Sequence, residues 1–212
     1  MVSKKLQLPR SQEEYDLHKI HGHIGIEGIY GGGCIKSPDM MLVFMNPTAR
    51  NISATSDWKG IRAPWIGVKK IWHMLANLDL LSSEAIPDEW NESTVKELYT
   101  HVAKRKLYIT NLASCTQPDA RHLPDSVFRE YLPLTYKEIL AINPRKIITL
   151  GNQVSSILLQ KTISVSSYLG EESEQLVLEG ITYTVFPTYY PVGQGQRNMP
   201  KAIQRIQSIA RL

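Results

Sequence analysis

The sequence contains few cysteines, and this limits how the protein could be stabilised. Among its 212 residues only Cys34 and Cys115 are cysteines, and they lie far apart along the chain. Two separated thiols form neither a disulfide framework nor a CxxC zinc motif. A chain of this length can bury a continuous hydrophobic core without such cross-links. We therefore expect one domain over residues 1–212, in a reducing compartment.

Long apolar runs are also missing from the sequence. The first ten residues, MVSKKLQLPR, lack the apolar centre of a secretory signal, and no apolar run has membrane-spanning length. The sequence also has no internal repeat, no Pro/Gly/Ser-rich linker and no GxxxxGK[ST] phosphate-binding loop. We expect a cytoplasmic protein that is not bound to a membrane, and a nucleotide-hydrolysing enzyme is disfavoured.

The charge of the sequence is positive, but no long basic block is present. The net charge is +4 and the isoelectric point is near 9.0. Lysines and arginines attract phosphate backbones regardless of base sequence, so a polyanionic partner is compatible with this charge. Many basic proteins bind no nucleic acid, and the basic residues are spread along the whole chain. Charge alone therefore does not identify the partner.

The order of apolar patterns predicts an α/β fold. Four continuous apolar runs, at 40–44, 107–110, 146–150 and 183–186, are typical of strands buried on both faces. Helical spacing follows at 68–81, 93–103, 126–141, 154–159 and 200–210. This alternation predicts a three-layer α/β/α sandwich around a central, mainly parallel four-stranded sheet. Residues 31–33, three glycines, are predicted to form a turn before the first strand.

Polar residues follow three of the predicted strands. The segments are FMNPTARN, YITNLASCTQP and FPTYYPVGQGQRN, which contain Asn46, Asn111 and Tyr190. Ligands usually bind beyond the carboxyl ends of strands in open α/β sheets. Each segment also has a structural interpretation, because Asn46 and Asn111 could simply form turns, and Tyr189 and Tyr190 could simply pack.

Together the segments resemble the uracil-DNA glycosylase superfamily. The resemblance covers about residues 29–206 and is closest in layout to the family four enzymes of bacteria and archaea. It rests on the segments IYGGGCIKSPDMMLVFMNPT, RAPWIGVKKIWHML, YITNLASCTQP, PDSVFREYLPLTYKEILAINPRKIITLGNQVSSILL and VFPTYYPVGQGQRN.

The resemblance implies a DNA glycosylase of base-excision repair. Such an enzyme flips a deaminated base, here expected to be uracil, out of DNA and hydrolyses its N-glycosidic bond without a cofactor. The implied partner is DNA containing a deaminated base, met inside a prokaryotic cell, and the protein is expected to act as a monomer. No lysine stands in the three segments after the strands, so a monofunctional enzyme without a Schiff-base step is expected.

The resemblance also assigns roles to individual residues. Asn46 would position the attacking water, Trp65 would stack on the base, and Asn111 would read it through an amide that both donates and accepts. Pro47 and Thr48 would line the base pocket. Trp65 could instead only pack the start of a helix. Gly193, Gln194, Gln196 and Arg197 would enter the DNA where the base has left, although an ordinary polar turn explains them equally well.

Two positions depart from the family pattern. Family four has a carboxylate where Asn46 stands, and Asn-Pro resembles the mismatch-specific and single-strand-selective branches. Many members have His where Tyr190 stands, a residue that donates to the base oxygen as the bond breaks. These departures leave two alternatives open: a non-catalytic nucleic-acid-binding relative, or a glycosylase for hypoxanthine, xanthine or mismatched thymine.

No metal or iron–sulfur cluster is expected. Family four carries a four-cysteine cluster, but this chain has Cys115 at one such position and Tyr131 at about another. The group His18, His21 and His23 matches no strong zinc pattern, and a solvated helix end is the preferred interpretation.

Overall fold

A six-stranded sheet forms the centre of the fold in the computed structural model, which describes residues 5–120 and 123–212. Its order is β1-β3-β2-β4-β6-β5. The strands are β1 (Gly32–Gly33), β2 (Met40–Phe44), β3 (Leu107–Asn111), β4 (Ile147–Leu150), β5 (Glu174–Leu178) and β6 (Ile181–Thr188). The helices are α1 (Gln12–His21), α2 (Lys69–Asn77), α3 (Glu92–Lys104), α4 (Asp125–Ile142), α5 (Asn152–Leu158) and α6 (Met199–Ala210).

The four predicted strands form the parallel centre of this sheet, but the prediction of four strands in total was wrong. β3, β2, β4 and β6 pair in parallel, and an antiparallel strand is added at each edge, β1 on β3 and β5 on β6. β5 alternates between exposed and buried residues, as expected of an edge strand with one solvated face. The fold is therefore mixed α/β with a mixed sheet.

The glycines predicted to form a turn instead include strand β1. Gly32 and Gly33 pair with Ile109 and Tyr108. A side chain at Gly32 would press on the ring of Tyr99, and Gly33 has a φ of 125°, which favours glycine. Glycine is needed here because the backbone lies against its neighbours, a reason that no apolar pattern could reveal.

Helices cover both faces of the sheet. On one face the core contains residues of α2, α3 and α6, and on the other it contains residues of α4 and α5. β2 serves both, since Met40, Leu42 and Phe44 belong to the first core and Met41 and Val43 to the second. This alternation follows from the two-residue period of a strand. In the described part of the chain, no helix has the length and apolarity needed to span a bilayer.

Two helices differ from the prediction. α1 was predicted only as a helix end at the three histidines, although Ser11 and Glu14 form a capping box at its start that is visible in the sequence. α2 ends at Asn77, earlier than the apolar spacing suggested, and Leu78 and Leu81 are buried beyond its end. Asp79, just beyond the end of the helix, has a φ of 56°. The chain therefore turns after α2, although Leu78 and Leu81 still pack into the core.

The register of β2 and β3 brings two of the polar strand ends together. Phe44 is paired with Asn111, the last residue of β3. Backbone hydrogen bonds continue past both strands, from Leu112 N to Phe44 O (2.7 Å) and from Ala113 N to Met45 O (3.1 Å). The segments after β2 and β3 therefore run side by side at the carboxyl edge of the sheet.

Candidate active site

A cleft of about 1010 Å³ lies at the carboxyl ends of the parallel strands. It is lined by residues that follow β2, β3, β4 and β6 and by the start of α2. Most of the residues that the sequence predicted for the site are in its wall: Asn46, Pro47, Thr48, Trp65, Asn111, Tyr190 and Gln196. Arg197 is exposed and does not line the cleft. The side chains of Gly193 and Gln194 lie outside the described residues.

Asn46 is held at the cleft by the segment that follows β2. Its amide nitrogen donates to the carbonyl oxygen of Pro47 at 3.1 Å, and that oxygen also accepts from Gln117 N at 3.0 Å. Thr48 pairs with Gln117 in the same way that strands pair. The bond to Pro47 orients the amide group, and Oδ1 is the atom through which Asn46 can accept a hydrogen bond from a ligand or water.

Trp65 is positioned by a long loop between β2 and α2. Buried Arg62 pins this loop by donating to the carbonyl oxygens of Ser53, Thr55 (2.7 Å) and Trp58 (3.0 Å). The rings of Trp65 and Phe44 meet edge to face, with centroids 4.8 Å apart and an interplanar angle of 67°. Trp65 therefore both packs at the start of α2 and lines the cleft.

Asn111 ends β3 and is 7% exposed. Its side-chain nitrogen is buried and has no hydrogen-bond partner among the described residues. Buried polar groups in proteins are nearly always paired, so an unpaired one calls for an explanation. Asn111 therefore combines a position in the cleft wall with an unpaired amide nitrogen.

Tyr190 follows β6 and also lines the cleft. Its ring lies 6.3 Å from that of Phe44, edge to face. Burial raises the pKa of the Tyr190 hydroxyl to about 12, so it stays protonated near neutral pH and can donate a hydrogen bond. A side chain at Gly195 would collide with the carbonyl group of Tyr190, which explains the glycine in this segment.

Among the residues at the site that were not predicted from the sequence, one aromatic and three basic residues bear on its chemistry. Phe44 contacts the rings of both Trp65 and Tyr190, and it was interpreted only as a core residue of a strand. Arg50, Lys69 and Lys70 are exposed residues of the cleft wall, and Lys70 donates to Gln196 at 3.0 Å. The two consecutive lysines in the segment GVKK were the available signal in the sequence.

Comparisons with known proteins identify the superfamily of the chain. The profile of the uracil DNA glycosylase superfamily matches residues 39–209. The chain belongs to this superfamily. It is also similar to the Type-4 uracil-DNA glycosylase of Saccharolobus solfataricus, with 29% identity over 93 residues, which are 42% of this chain and 43% of that protein. This match thus spans less than half of the relative, whereas the superfamily match includes every strand after β1.

The iron–sulfur cluster of family four does not fit this superfamily member. With two cysteines the chain cannot supply four thiolates. Cys115 is fully buried beside Tyr131, and burial raises the pKa of its thiol to about 11, whereas metal ligation needs a thiolate. Across residues 5–120 and 123–212, no group of three or more His, Cys, Asp or Glu residues could hold a metal ion.

The three clustered histidines have separate partners. His18 Nε2 lies 2.8 Å from Ile26 O, His21 Nε2 lies 2.8 Å from a carboxylate oxygen of Glu130, and His23 Nδ1 lies 2.9 Å from Ile24 O. His18 and His21 belong to the last turn of α1, which agrees with the interpretation as a helix end.

Proposed function

We propose that the protein is a monofunctional DNA glycosylase that removes uracil from DNA in base-excision repair. The observation that carries this proposal is that Asn46, Trp65, Asn111 and Tyr190 line a single cleft although they come from distant parts of the chain. An amide acceptor, an aromatic ring, an amide donor and a neutral hydroxyl are the groups that hydrolysis of a flipped base requires. Superfamily membership and the similarity to a Type-4 uracil-DNA glycosylase support the reaction class.

In this proposal the base enters the cleft and is held from three directions. The ring of Trp65 provides an aromatic surface, and the amide of Asn111 reads the polar edge of the base. The Tyr190 hydroxyl donates to a base oxygen that becomes negative as the glycosidic bond breaks. Tyr190 thus has the role that His has in many superfamily members, and its neutral hydroxyl can donate without binding an additional proton.

Asn46 acts on the attacking water. Its Oδ1 accepts a hydrogen bond from the water and aims it at the sugar carbon, while Pro47 holds the amide nitrogen. An amide cannot take the proton of the water, so the sugar must develop positive charge before the water adds. Bond breaking ahead of water attack makes a strong base unnecessary, and electrostatic stabilisation of the departing base supplies the help.

The basic residues at the cleft would contact the phosphate backbone. Arg50, Lys69 and Lys70 are exposed at the cleft, and Arg197 is exposed nearby in sequence, after Gln196. Phosphate contacts position a protein on DNA without reading its bases.

The monofunctional assignment has its own test, because Lys69 and Lys70 lie in the cleft wall and a lysine could form a Schiff base with the sugar. Borohydride should trap no covalent complex between the enzyme and DNA.

Excision assays on Asn46 variants test the proposal. Oligonucleotides that carry uracil, hypoxanthine, xanthine or a T·G mismatch are incubated with the protein and then treated with alkali to cleave abasic sites. Uracil excision by the wild type is expected, and Asn46→Ala is expected to lower it by about 100- to 1,000-fold. Asn46→Asp keeps the shape and the acceptor oxygen, so it serves as the matched variant that should remain active.

The same assay separates the alternatives. Excision of another base in preference to uracil would change the substrate and keep the mechanism. Normal activity of Asn46→Ala would remove Asn46 from the reaction. No excision of any base, together with salt-sensitive DNA binding, would identify a non-catalytic nucleic-acid-binding relative.

A further inference from the structure

The backbone conformation of Trp65 is unusual for an aromatic residue. Trp65 has a φ of 66°, which lies in the left-handed region that bulky side chains rarely adopt. Strained residues of this kind persist only where their surroundings fix them, and they concentrate at ligand sites. Trp65 is half-buried and lines the cleft. The contacts that fix its backbone therefore bear on the shape of the cleft.

Each of the two peptide groups that flank the Cα atom of Trp65 is held by a buried aromatic donor. The Tyr99 hydroxyl donates to Pro64 O at 2.5 Å, in the peptide group before Trp65. Trp72 Nε1 donates to Trp65 O at 2.9 Å, in the peptide group after it, and Val68 N donates to the same oxygen at 3.0 Å. Because φ and ψ are the rotations of these two rigid groups about Cα, the donors fix both torsions.

Both aromatic donors belong to the buried core. Tyr99 and Trp72 have no exposed surface, and their rings meet edge to face with centroids 5.6 Å apart. Tyr99 belongs to α3 and Trp72 to α2. Burial raises the pKa of the Tyr99 hydroxyl well above its usual value, so it stays protonated and donates near neutral pH. Two helices thus anchor the backbone on either side of the Cα atom of Trp65.

The ring of Trp65 has a contact of its own. It meets the ring of Phe44, the last residue of β2, with centroids 4.8 Å apart. The direction of the Cα–Cβ bond follows from the two flanking peptide groups. A rotation of either group would therefore move the ring relative to Phe44 and to the cleft.

We propose that Tyr99 is a positioning residue for base excision and acts through Trp65. Tyr99 fixes the peptide group before Trp65 while Trp72 fixes the one after it, and together they hold the ring where a flipped base can stack on it. The strained conformation thus presets an aromatic surface before the base arrives. The inference rests on the proposed function, because it takes the cleft to be the base pocket.

Tyr99→Phe removes only the hydroxyl that holds Pro64 O. Single-turnover excision of uracil from an oligonucleotide is expected to slow about tenfold, because a misplaced ring no longer aligns the base. Tyr136→Phe is the matched control, since the Tyr136 hydroxyl also donates to a carbonyl oxygen, Leu158 O at 2.7 Å, but lies outside the cleft wall. Both variants should have a lower melting temperature than the wild type, and only Tyr99→Phe should slow excision. Excision by Tyr99→Phe at the wild-type rate would overturn the inference.

A double-mutant cycle with Trp65→Gly tests whether Tyr99 acts through Trp65. Glycine adopts the left-handed conformation without strain, so the loop keeps its path while the ring is lost. Trp65→Gly alone should slow excision by about 10- to 100-fold, as expected for a lost stacking contact. Adding Tyr99→Phe should slow excision no further, because no ring is left to position, although the melting temperature should still fall. A further tenfold loss of excision in this background would mean that Tyr99 does not act through Trp65, and would overturn the inference.

A structural measurement separates this inference from the proposed function. In crystals of Tyr99→Phe, the φ of Trp65 should leave the left-handed region or its ring should separate from Phe44, whereas Tyr136→Phe should show neither change. An unmoved Trp65 in Tyr99→Phe, together with uracil excision by the wild type, would overturn the inference and leave the function standing. A displaced Trp65, together with a wild type that excises no base, would overturn the function and still support Tyr99 as the residue that positions Trp65.

Discussion

Polar residues on the two faces of β3 differ in whether their hydrogen bonds are completed within the protein. On one face, the Thr110 hydroxyl donates to the Glu138 carboxylate at 3.0 and 3.2 Å, and the Tyr108 hydroxyl donates to it at 2.7 Å. On the other face, the amide nitrogen of Asn111 has no partner among the described residues. The hydrogen bonds of the first group are completed within the protein, whereas the Asn111 nitrogen is left without one. Under the proposed function, the first arrangement serves stability and the second serves binding of the base.

The largest effect is expected on the face that carries Asn111. Asn111→Ala removes the amide that we propose reads the base, and we expect uracil excision to fall by at least about 100-fold. Its nitrogen makes no hydrogen bond in the free protein, so the free energy of unfolding should fall by less than about 1 kcal/mol. Single-turnover kinetics and urea unfolding measure the two quantities. A large loss of stability with unchanged excision would mean that Asn111 serves stability and not excision, which would contradict the difference between the two faces.

On the other face of β3, a substitution of Glu138 is expected to change the stability of the protein and not the excision reaction. Burial raises the pKa of Glu138 from 4.5 to about 7, while the hydrogen bonds from Tyr108 and Thr110 oppose the shift. The folded protein therefore binds this proton more tightly than the unfolded chain does. The resulting stability is complete below pH 4.5 and is lost as the pH rises through about 7.

Glu138→Gln replaces this carboxyl with a neutral group of the same shape. Between about pH 5 and about pH 8, the free energy of unfolding of the wild type should fall by about 1–3 kcal/mol relative to the variant. Urea unfolding at both pH values measures the difference. Glu97→Gln, on the exposed side of α3, is the control and should follow the wild type. Parallel pH profiles for Glu138→Gln and the wild type would contradict the raised pKa.

The sequence predicted the parts of the fold that depend on local pattern. The four parallel strands are continuous apolar runs, and their predicted bounds differ from the structure by at most two residues at either end. The edge strands were missed for different reasons. β1 consists of two glycines without side chains to form a pattern. β5 joins β6 through a turn at Glu179 and Gly180, both with positive φ, and Glu-Gly is not among the dipeptides that mark such hairpin turns most strongly.

The site was predictable where strand ends supply it. Asn46 and Asn111 could be found because parallel strands end at one edge of a sheet, and Trp65 and Tyr190 could be found through the family resemblance. Phe44 could not be identified as the ring between Trp65 and Tyr190, because that contact depends on packing between distant segments. The position of Arg197 depends on the fold in the same way: it follows Gln196 in sequence, but only Gln196 lines the cleft.

The smallest effect is expected at the mouth of the cleft, where a polar pair is bonded within the protein but exposed. Lys70 and Gln196 join α2 to the segment after β6. If Lys70 also contacts a phosphate, Lys70→Ala should weaken DNA binding a few-fold and reduce the slope of log affinity against log salt by about 1. Gln196→Ala breaks the same hydrogen bond without removing charge, so its salt slope should match the wild type. Lys96→Ala, on exposed α3 surface outside the cleft wall, is the charge control. Equal salt slopes for Lys70→Ala and Lys96→Ala would mean that the pair only links two segments of the protein, like the bonded hydroxyls on the other face of β3.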